Sequence, residues 1–576
     1  MNFIKTLSLL LIISISISCN TKTDPIPTPT IASMGDLDIP NNFDWSSGIN
    51  GELIVKLDNP LNVSTEREYI QLIDEVGNVL DHQLVYNNEA IFDIELPSDG
   101  DYFLFFPVTQ DQLLIESVGE INMLLGPTVD YIYPQFKSTD VVVCTSCDSP
   151  LVNGGAELPY RASGFGIYNE DDIPGWETTA TDNKIELWTN GFLGVPAQEG
   201  RQFYELNANQ VAALYQELCL EPGATIYWSV WHRGRSGVDV AEVKIGGSIE
   251  TAEAQATMSD GNSEWGYYSG SYNVPTDQET TYFVFESISA AGGNQSVGNL
   301  LDNFEISCDF DGDGVIDRYD DFPEDPETAF TSYFPSSGKQ VVAFEDLWPS
   351  YGDFDFNDLV MSNQAVITKD ENSNLLQATF KVSIDAIGAS IDNGIAMMLY
   401  KENKTVFGDN IISEVSGDAT IDPDNQNGII LTDDVFATTN DRYQNNGQGP
   451  MGTPDTLYFT VTFNSNAEDF VPELYLFRTN DRGHEVHRSG FPQTATMNSS
   501  LFNTEDDAGD FKSSTGLPWG MEIITEVAYK NPIEKVDILE AYPQFELWAT
   551  SEGTQNTTWY LSPVEDKVVD ISVLLD

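Results

Sequence analysis

Apolar and polar residues alternate over short runs along most of this chain, and that two-residue period is the strongest constraint on what it can fold into. Glu52-Leu53-Ile54-Val55-Lys56-Leu57 and Ala90-Ile91-Phe92-Asp93-Ile94-Glu95-Leu96 show it plainly. Successive side chains of an extended strand point to opposite faces, so each run predicts a strand with one buried and one wet face. Turn formers such as Glu75-Val76-Gly77-Asn78 and Ser98-Asp99-Gly100-Asp101 separate the runs. Sustained helical periodicity is scarce, and within residues 144–308 Asn209–Leu218 is the one stretch that predicts a helix. The pattern predicts an all-β protein. At 576 residues the chain exceeds what one hydrophobic core can serve, so three or four domains are expected.

The first eighteen residues carry Lys5 and then the apolar run Leu7–Ser18, too short for the ~20 residues that span a bilayer, so 1–18 is expected to be an export signal. Cys19 follows Ser16-Ile17-Ser18 and resembles a bacterial lipobox, although Ser16 stands where Leu is usual. Acylation of Cys19 would anchor the protein, each buried methylene contributing ~0.8 kcal/mol. Residues 19–35, with Pro25, Pro27 and Pro29, read as an extended tether. Four further cysteines, Cys144, Cys147, Cys219 and Cys308, are disulfide candidates in an exported context, with three connectivities open. Cys144-x-x-Cys147 has no second Cys/His pair to complete a zinc site and no βαβ pattern to suggest redox work. The formal charge of −67, from 25 Lys and Arg against 92 Asp and Glu, argues against nucleic acid as a partner and favours divalent cations and neutral ligands.

The segment Asp309-Phe310-Asp311-Gly312-Asp313-Gly314-Val315-Ile316-Asp317-Arg318-Tyr319-Asp320 places carboxylates at positions 1, 3, 5, 9 and 12, glycine at 6 and an apolar residue at 8. Alternate side chains of a curling backbone converge on one cation, and the Val315 carbonyl would supply a further oxygen, so calcium is the expected cofactor. Asp320 stands where an EF-hand has Glu, and Pro323 and Pro326 preclude a following helix. The loop, 309–326, therefore resembles a thrombospondin type 3 repeat more than an EF-hand, and it would stiffen a connector between domains.

Residues 36–140, with Val85-Tyr86 and Tyr102–Phe106 as expected core strands, look like an immunoglobulin-like β-sandwich. Residues 144–308 resemble galactose-binding-like jelly rolls of the carbohydrate-binding type. Asn153-Gly154-Gly155-Ala156-Glu157, Ile173-Pro174-Gly175-Trp176 and Gly298-Asn299-Leu300-Leu301-Asp302-Asn303-Phe304 carry that likeness. The resemblance implies adjacent first and last strands with a structural calcium beside them, for which Glu157 and Asp302 are the matching carboxylates. It would also let Cys308 reach Cys144 or Cys147. A sugar site needs an aromatic platform and fixed polar groups, and Trp188, Asn190, Glu205, His232, Arg233 and Arg235 are a suitable set. The competing expectation is that the tryptophans are core and the arginines pair with acidic neighbours.

Residues 327–576 contain Ala343-Phe344-Glu345-Asp346-Leu347-Trp348-Pro349, Gly352-Asp353-Phe354-Asp355-Phe356-Asn357-Asp358-Leu359-Val360, Asn480-Asp481-Arg482-Gly483-His484-Glu485-Val486-His487, Gly516-Leu517-Pro518-Trp519 and Ala541-Tyr542-Pro543-Gln544-Phe545. These resemble the LruC domain (DUF4842) of bacterial envelope lipoproteins, which implies a β-sandwich and no established chemistry. Read by itself, the loop offers Asp353, Asp355, Asn357 and Asp358, with Asp346, as oxygen ligands for calcium. The alternative is a tight turn whose Asp and Asn side chains bond backbone amides. His484 and His487 are three apart and follow a strand pattern, so they would face opposite ways and do not make the H-E-x-x-H of a zinc protease.

These readings give tandem β-sandwiches, immunoglobulin-like, jelly-roll and LruC-type, joined by a calcium loop. The expected protein is a calcium-stabilised outer-membrane lipoprotein of the cell envelope, surface-exposed or periplasm-facing, that binds glycan or another surface ligand without catalysis. The alternatives are a passive structural or assembly component and a glycan hydrolase; no nucleophile elbow, P-loop, zincin helix or dinucleotide fingerprint is present.

Overall fold

A computed structural model describes residues 33–60, 65, 68–126, 151–294, 296–438, 445–447, 452, 454–464, 467 and 469–569. The signal peptide, Cys19, Cys144 and Cys147 lie outside the described residues. As the alternation predicts, the structure is nearly all-β, in tandem sandwiches.

The first sandwich sets Glu89–Leu96, Ile49–Asp58 and Gly119–Leu124 against Val79–Leu84, Tyr69–Ile73, Phe103–Phe106 and Asp111–Leu114. Alternate residues Leu53 and Val55, Phe92 and Ile94, and Leu104 and Phe106 fill the space between the sheets. In an immunoglobulin sandwich the first two strands share a sheet; here Ile49–Asp58 and Tyr69–Ile73 lie on opposite sheets. Val85 is buried just past its strand, whereas Tyr86 is exposed. Residues 33–47 belong elsewhere than expected. Met34, Leu37, Ile39, Phe43 and Trp45 are buried against the C-terminal part of the chain, and Ser46–Ser47 pairs in parallel with Gly520–Thr525. That strand edge and an aromatic cluster at Phe545, Trp548 and Trp559 give the segment a place to bury its apolar residues.

The second unit is a two-sheet jelly roll. One sheet runs Gly266–Asn273, Thr225–Arg233, Leu300–Asp309, Gln202–Glu205, Lys184–Thr189, Phe165–Asn169; the other runs Glu177–Thr178, Ala213–Leu218, Thr281–Ser289, Asp239–Gly246, Glu253–Asp260. The predicted helix over Asn209–Leu218 is absent: Ala213–Leu218 is a strand paired with Thr281–Ser289. Leu214, Gln216 and Leu218 alternate inward there, and tertiary pairing overrides local helix propensity. Cys219 and Cys308 are both disulfide-bonded.

In the third unit an eight-stranded sheet packs on a five-stranded one. Phe344, Met361, Phe380 and Phe459 of the larger sheet meet Ile395, Met397, Leu474 and Leu476 of the smaller. The far face of the larger sheet, at Val341, Ala343, Val360 and Ile523, is covered by residues 34–45 and the short helices Ile538–Ala541 and Phe545–Thr550. Among the described residues, no helix is long and apolar enough to cross a membrane.

Candidate functional site

The connector leaves the jelly roll at Asp309, the last residue of its final strand. Gly312 and Gly314 take φ of 84° and 110°, values that favour glycine, so the backbone curls back on itself. The curl brings carboxylate oxygens of Asp309, Asp311 and Asp313 within 4.8 Å of one another. Asp309 is fully buried and accepts the N–H groups of Gly312 (2.7 Å) and Gly314 (3.0 Å) and the Tyr227 hydroxyl (3.1 Å). One oxygen each of Asp311 and Asp313 is buried with no hydrogen-bond partner. Oxygen-only donors with orphaned lone pairs fit a hard divalent cation.

Asp317 and Asp320 do not join that trio; they accept the N–H groups of Phe310 and Phe322, each at 2.7 Å. Burial, and then the neighbouring carboxylates, push Asp313 up to about 6 and Asp320 to about 7. Val315 donates its N–H to Asp313, and its side chain lies in a small core with Ile316, Tyr319, Ala329, Phe330 and Tyr69 of the first sandwich. Arg318 and the Tyr319 hydroxyl both bond Glu68, which stands just before the strand Tyr69–Ile73. One loop therefore touches all three units: it ends a jelly-roll strand, pairs with the first sandwich, and packs on Phe330 of the third.

In the jelly roll, Glu157 and Asp302 hold one loop. Glu157 accepts the N–H groups of Arg201 (2.5 Å) and Gln202 (2.9 Å), and Asp302 accepts those of Gln198 (2.7 Å) and Glu199 (3.2 Å). The Phe304 N–H donates to the Gly154 carbonyl at 3.1 Å, so the ends of the unit are adjacent. Burial drives Asp302 well above its usual range, and Glu199, which sequence reasoning did not single out, adds to the shift.

The six predicted ligand residues are not a sugar platform. Trp188 is 1% exposed under Phe192 and Val195 of the following loop, donates to Glu186 (2.8 Å) and carries the Arg235 guanidinium 4.7 Å above its ring. Arg235 binds both oxygens of Glu205 at 2.6 and 2.9 Å. His232 is buried between Asp260 (2.7 Å) and Asn299 (2.9 Å), and Arg233 is buried and donates to the Asn262 carbonyl at 2.5 Å. Of the six only Asn190 is exposed, and its side chain receives the Ala197 N–H. The competing expectation, core tryptophan and paired arginine, describes Trp188 and Arg235. The open aromatic pair on this sheet is instead Trp231 and Tyr267, cross-strand partners with ring centroids 5.0 Å apart, Tyr267 being 38% exposed. Parity could have found Trp231, since Trp228 and Val230 face the core and Trp231 falls on the opposite face.

In the third unit, Asp353 and Asp355 converge on Glu345, not Asp346. Asp358 accepts the Asp346 N–H at 2.9 Å, and Asp346 accepts the Asn393 side-chain amide at 2.7 Å. Asn357 donates its side-chain amide to the Pro532 carbonyl at 3.0 Å. Burial pushes Asp355 up to about 7 and Asp358 to about 8, with neighbouring carboxylates adding to both. His484 lies 2.6 Å from the Trp348 carbonyl, while His487 lies between Glu473 and Glu485, so the two histidines serve separate structural contacts.

Residues 373–560 match the model of a family described as a domain of unknown function, DUF4842. No curated protein matches the chain. Among solved structures, a candidate lipoprotein from Bacteroides ovatus aligns at 12% identity over 71% of this chain and 100% of its own, with a TM-score of 0.30. A CBM22-2 xylan-binding domain from Paenibacillus barcinonensis aligns at 14% identity over 25% of this chain and 96% of its own, with a TM-score of 0.19. The C-terminal family 22 carbohydrate-binding module of Clostridium thermocellum Xyn10B gives 16% identity, 25% and 94% coverage and a TM-score of 0.19. Within the third unit, residues 373–560 are therefore similar to the DUF4842 family.

Proposed function

We propose that this protein is a non-catalytic, calcium-stabilised lipoprotein of the cell envelope that presents its jelly roll to a glycan or similar neutral surface ligand. The observation that carries the reading is the connector. Three carboxylates gather in the loop that touches all three units, and an ion bound there would fix Asp309, Gly312 and Gly314 and, through Arg318 and Tyr319, the first sandwich. The export signal and lipobox-like Cys19 support the envelope placement. Trp231 and Tyr267 offer aromatic faces to the apolar side of a sugar ring. The burial of Trp188 favours a second reading, a passive structural component whose sheet face carries no ligand.

A polysaccharide array probed with wild type and Trp231→Ala, in calcium and in chelator, tests both. We expect retention on at least one polysaccharide that Trp231→Ala loses, and protease cleavage near Val315 that appears only in chelator. No retention in calcium would leave the structural reading. Cleavage indifferent to chelation would remove calcium from the connector.

A further inference from the structure

Glu345 follows the strand Lys339–Phe344, outside the loop whose spacing suggests ligands, and is 1% exposed. One of its carboxylate oxygens accepts the Phe356 N–H at 2.8 Å. The other is buried and has no hydrogen-bond partner. A Cβ placed on Gly352 would fall 1.7 Å from that oxygen, so the carboxylate occupies space that only glycine leaves. Asp353 and Asp355 reach the same point, carboxylate oxygens of all three lying within 4.8 Å of one another. Phe354, between the two aspartates, and Phe356, just after them, take φ of 60° and 49°, outside the usual range for such residues, and bury their rings in the core shared with the C-terminal helices. Asp355 is buried and Asp353 stands open to solvent, as the base and mouth of a site would. Among the described residues none of the three pairs with Lys, Arg or His. Anions buried without counter-charge are strongly disfavoured, and an all-oxygen, irregular donor set matches calcium better than the octahedral demand of magnesium.

We propose that Glu345, Asp353 and Asp355 are the side-chain ligands of a second cation centre, inside the third unit, that takes calcium. The ion staples distant parts of the chain. Asp355 already accepts the Lys535 N–H at 2.7 Å, and Ile538 donates its N–H to the Phe354 carbonyl at 2.9 Å. Filling the site therefore holds residues 532–538, and with them the N-terminal segment whose Met34 N–H bonds Asp537 at 2.8 Å.

The test strips the purified protein with chelator, titrates it with calcium chloride, and counts bound ions per chain in wild type, Glu345→Gln, Asp353→Asn and Asp311→Asn, the last disabling only the connector. Glu345→Gln is expected to bind one ion fewer than wild type, and Asp311→Asn to retain the ion that Glu345→Gln lacks. Calcium should slow hydrogen exchange over residues 532–538 in wild type and Asp311→Asn but not in Glu345→Gln. Should Glu345→Gln fail to fold, Asp353→Asn, altered on the solvent side, should weaken one site at least tenfold and leave metal-free melting unchanged. Wild-type stoichiometry and affinity in every Glu345 and Asp353 variant that folds, or an Asp311→Asn protein that binds no ion at all, overturns the proposal without touching the connector or ligand readings.

Discussion

Two groups of buried carboxylates sit in the same third unit, and the chain neutralises only one of them. On the smaller sheet, His487 lies 3.0 Å from both oxygens of Glu473 and 3.1 Å from Glu485. Arg482 reaches Glu485 at 2.5 Å and Asp422 at 2.7 Å, and the hydroxyls of Thr494 and Thr496 donate to Glu485 at 2.6 and 2.7 Å. Around Gly352, Glu345 and Asp355 are as deeply buried but receive backbone amides alone. The contrast separates two uses of acidic residues. A self-contained network can stay folded whatever ions the medium holds, whereas the Glu345 cluster has its balance only with a charge taken from solution.

The largest effect that bears on this contrast is loss of the internal cation. His487→Gln leaves the buried Glu473 with the Arg488 N–H and Glu485 with Arg482 and two threonine hydroxyls, and removing the cationic partner of such a group costs about 3–5 kcal/mol. Denaturant unfolding of the third unit should show that loss equally in calcium and in chelator. A loss that appears only in chelator would mean that the two clusters share one ion, and the contrast would fail.

Acidity sharpens it next. Burial pulls the His487 imidazolium down, but Glu473 and then Glu485 outweigh it and hold its pKa at about 9, above the ordinary 6.5. A group raised on folding contributes stability that is complete below its unfolded pKa and is lost as pH rises through the folded one. The wild-type third unit should therefore lose up to about 3 kcal/mol between pH 6.5 and 9.5, while His487→Gln should lack that decline. Parallel unfolding curves at pH 6, 7.5 and 9 measure it, and identical slopes in both proteins would show His487 to be neutral.

How much of this was legible in the chain depends on the range over which each signal acts. Alternation is local, so the strands around Leu53, Phe92 and Leu104 could be read directly, as could the curl at Gly312 and Gly314. Ala213–Leu218 misled because its helix-forming composition is local, whereas its partner strand lies some seventy residues on. Asp353 and Asp355 were legible from their spacing. Glu345 was not, because its place depends on how the strand Lys339–Phe344 ends beside the loop and on the space left at Gly352. Trp188 has the composition of a sugar platform and the fate of a core residue, since the loop carrying Phe192 and Val195 folds over it.

The smallest effect asks whether charge or geometry keeps the internal network stable. Arg482 is about one-quarter exposed, stacks 4.2 Å from the Phe477 ring, and donates to Asp422, Glu485 and the Tyr475 hydroxyl. Arg482→Lys keeps the positive charge but presents a point donor that cannot span Asp422 and Glu485 together, so fork geometry is lost and neutrality is not. Solvent screening on the exposed side reduces the penalty further, and a loss of about 1 kcal/mol is expected in chemical denaturation, well under that of His487→Gln. A loss as large as that of His487→Gln would make donor geometry, not counter-charge, the quantity the network supplies. Buried carboxylates lacking a side-chain cation would then be tolerable wherever backbone amides are well placed, and the absence of such a cation around Glu345 would no longer point to an ion from solution.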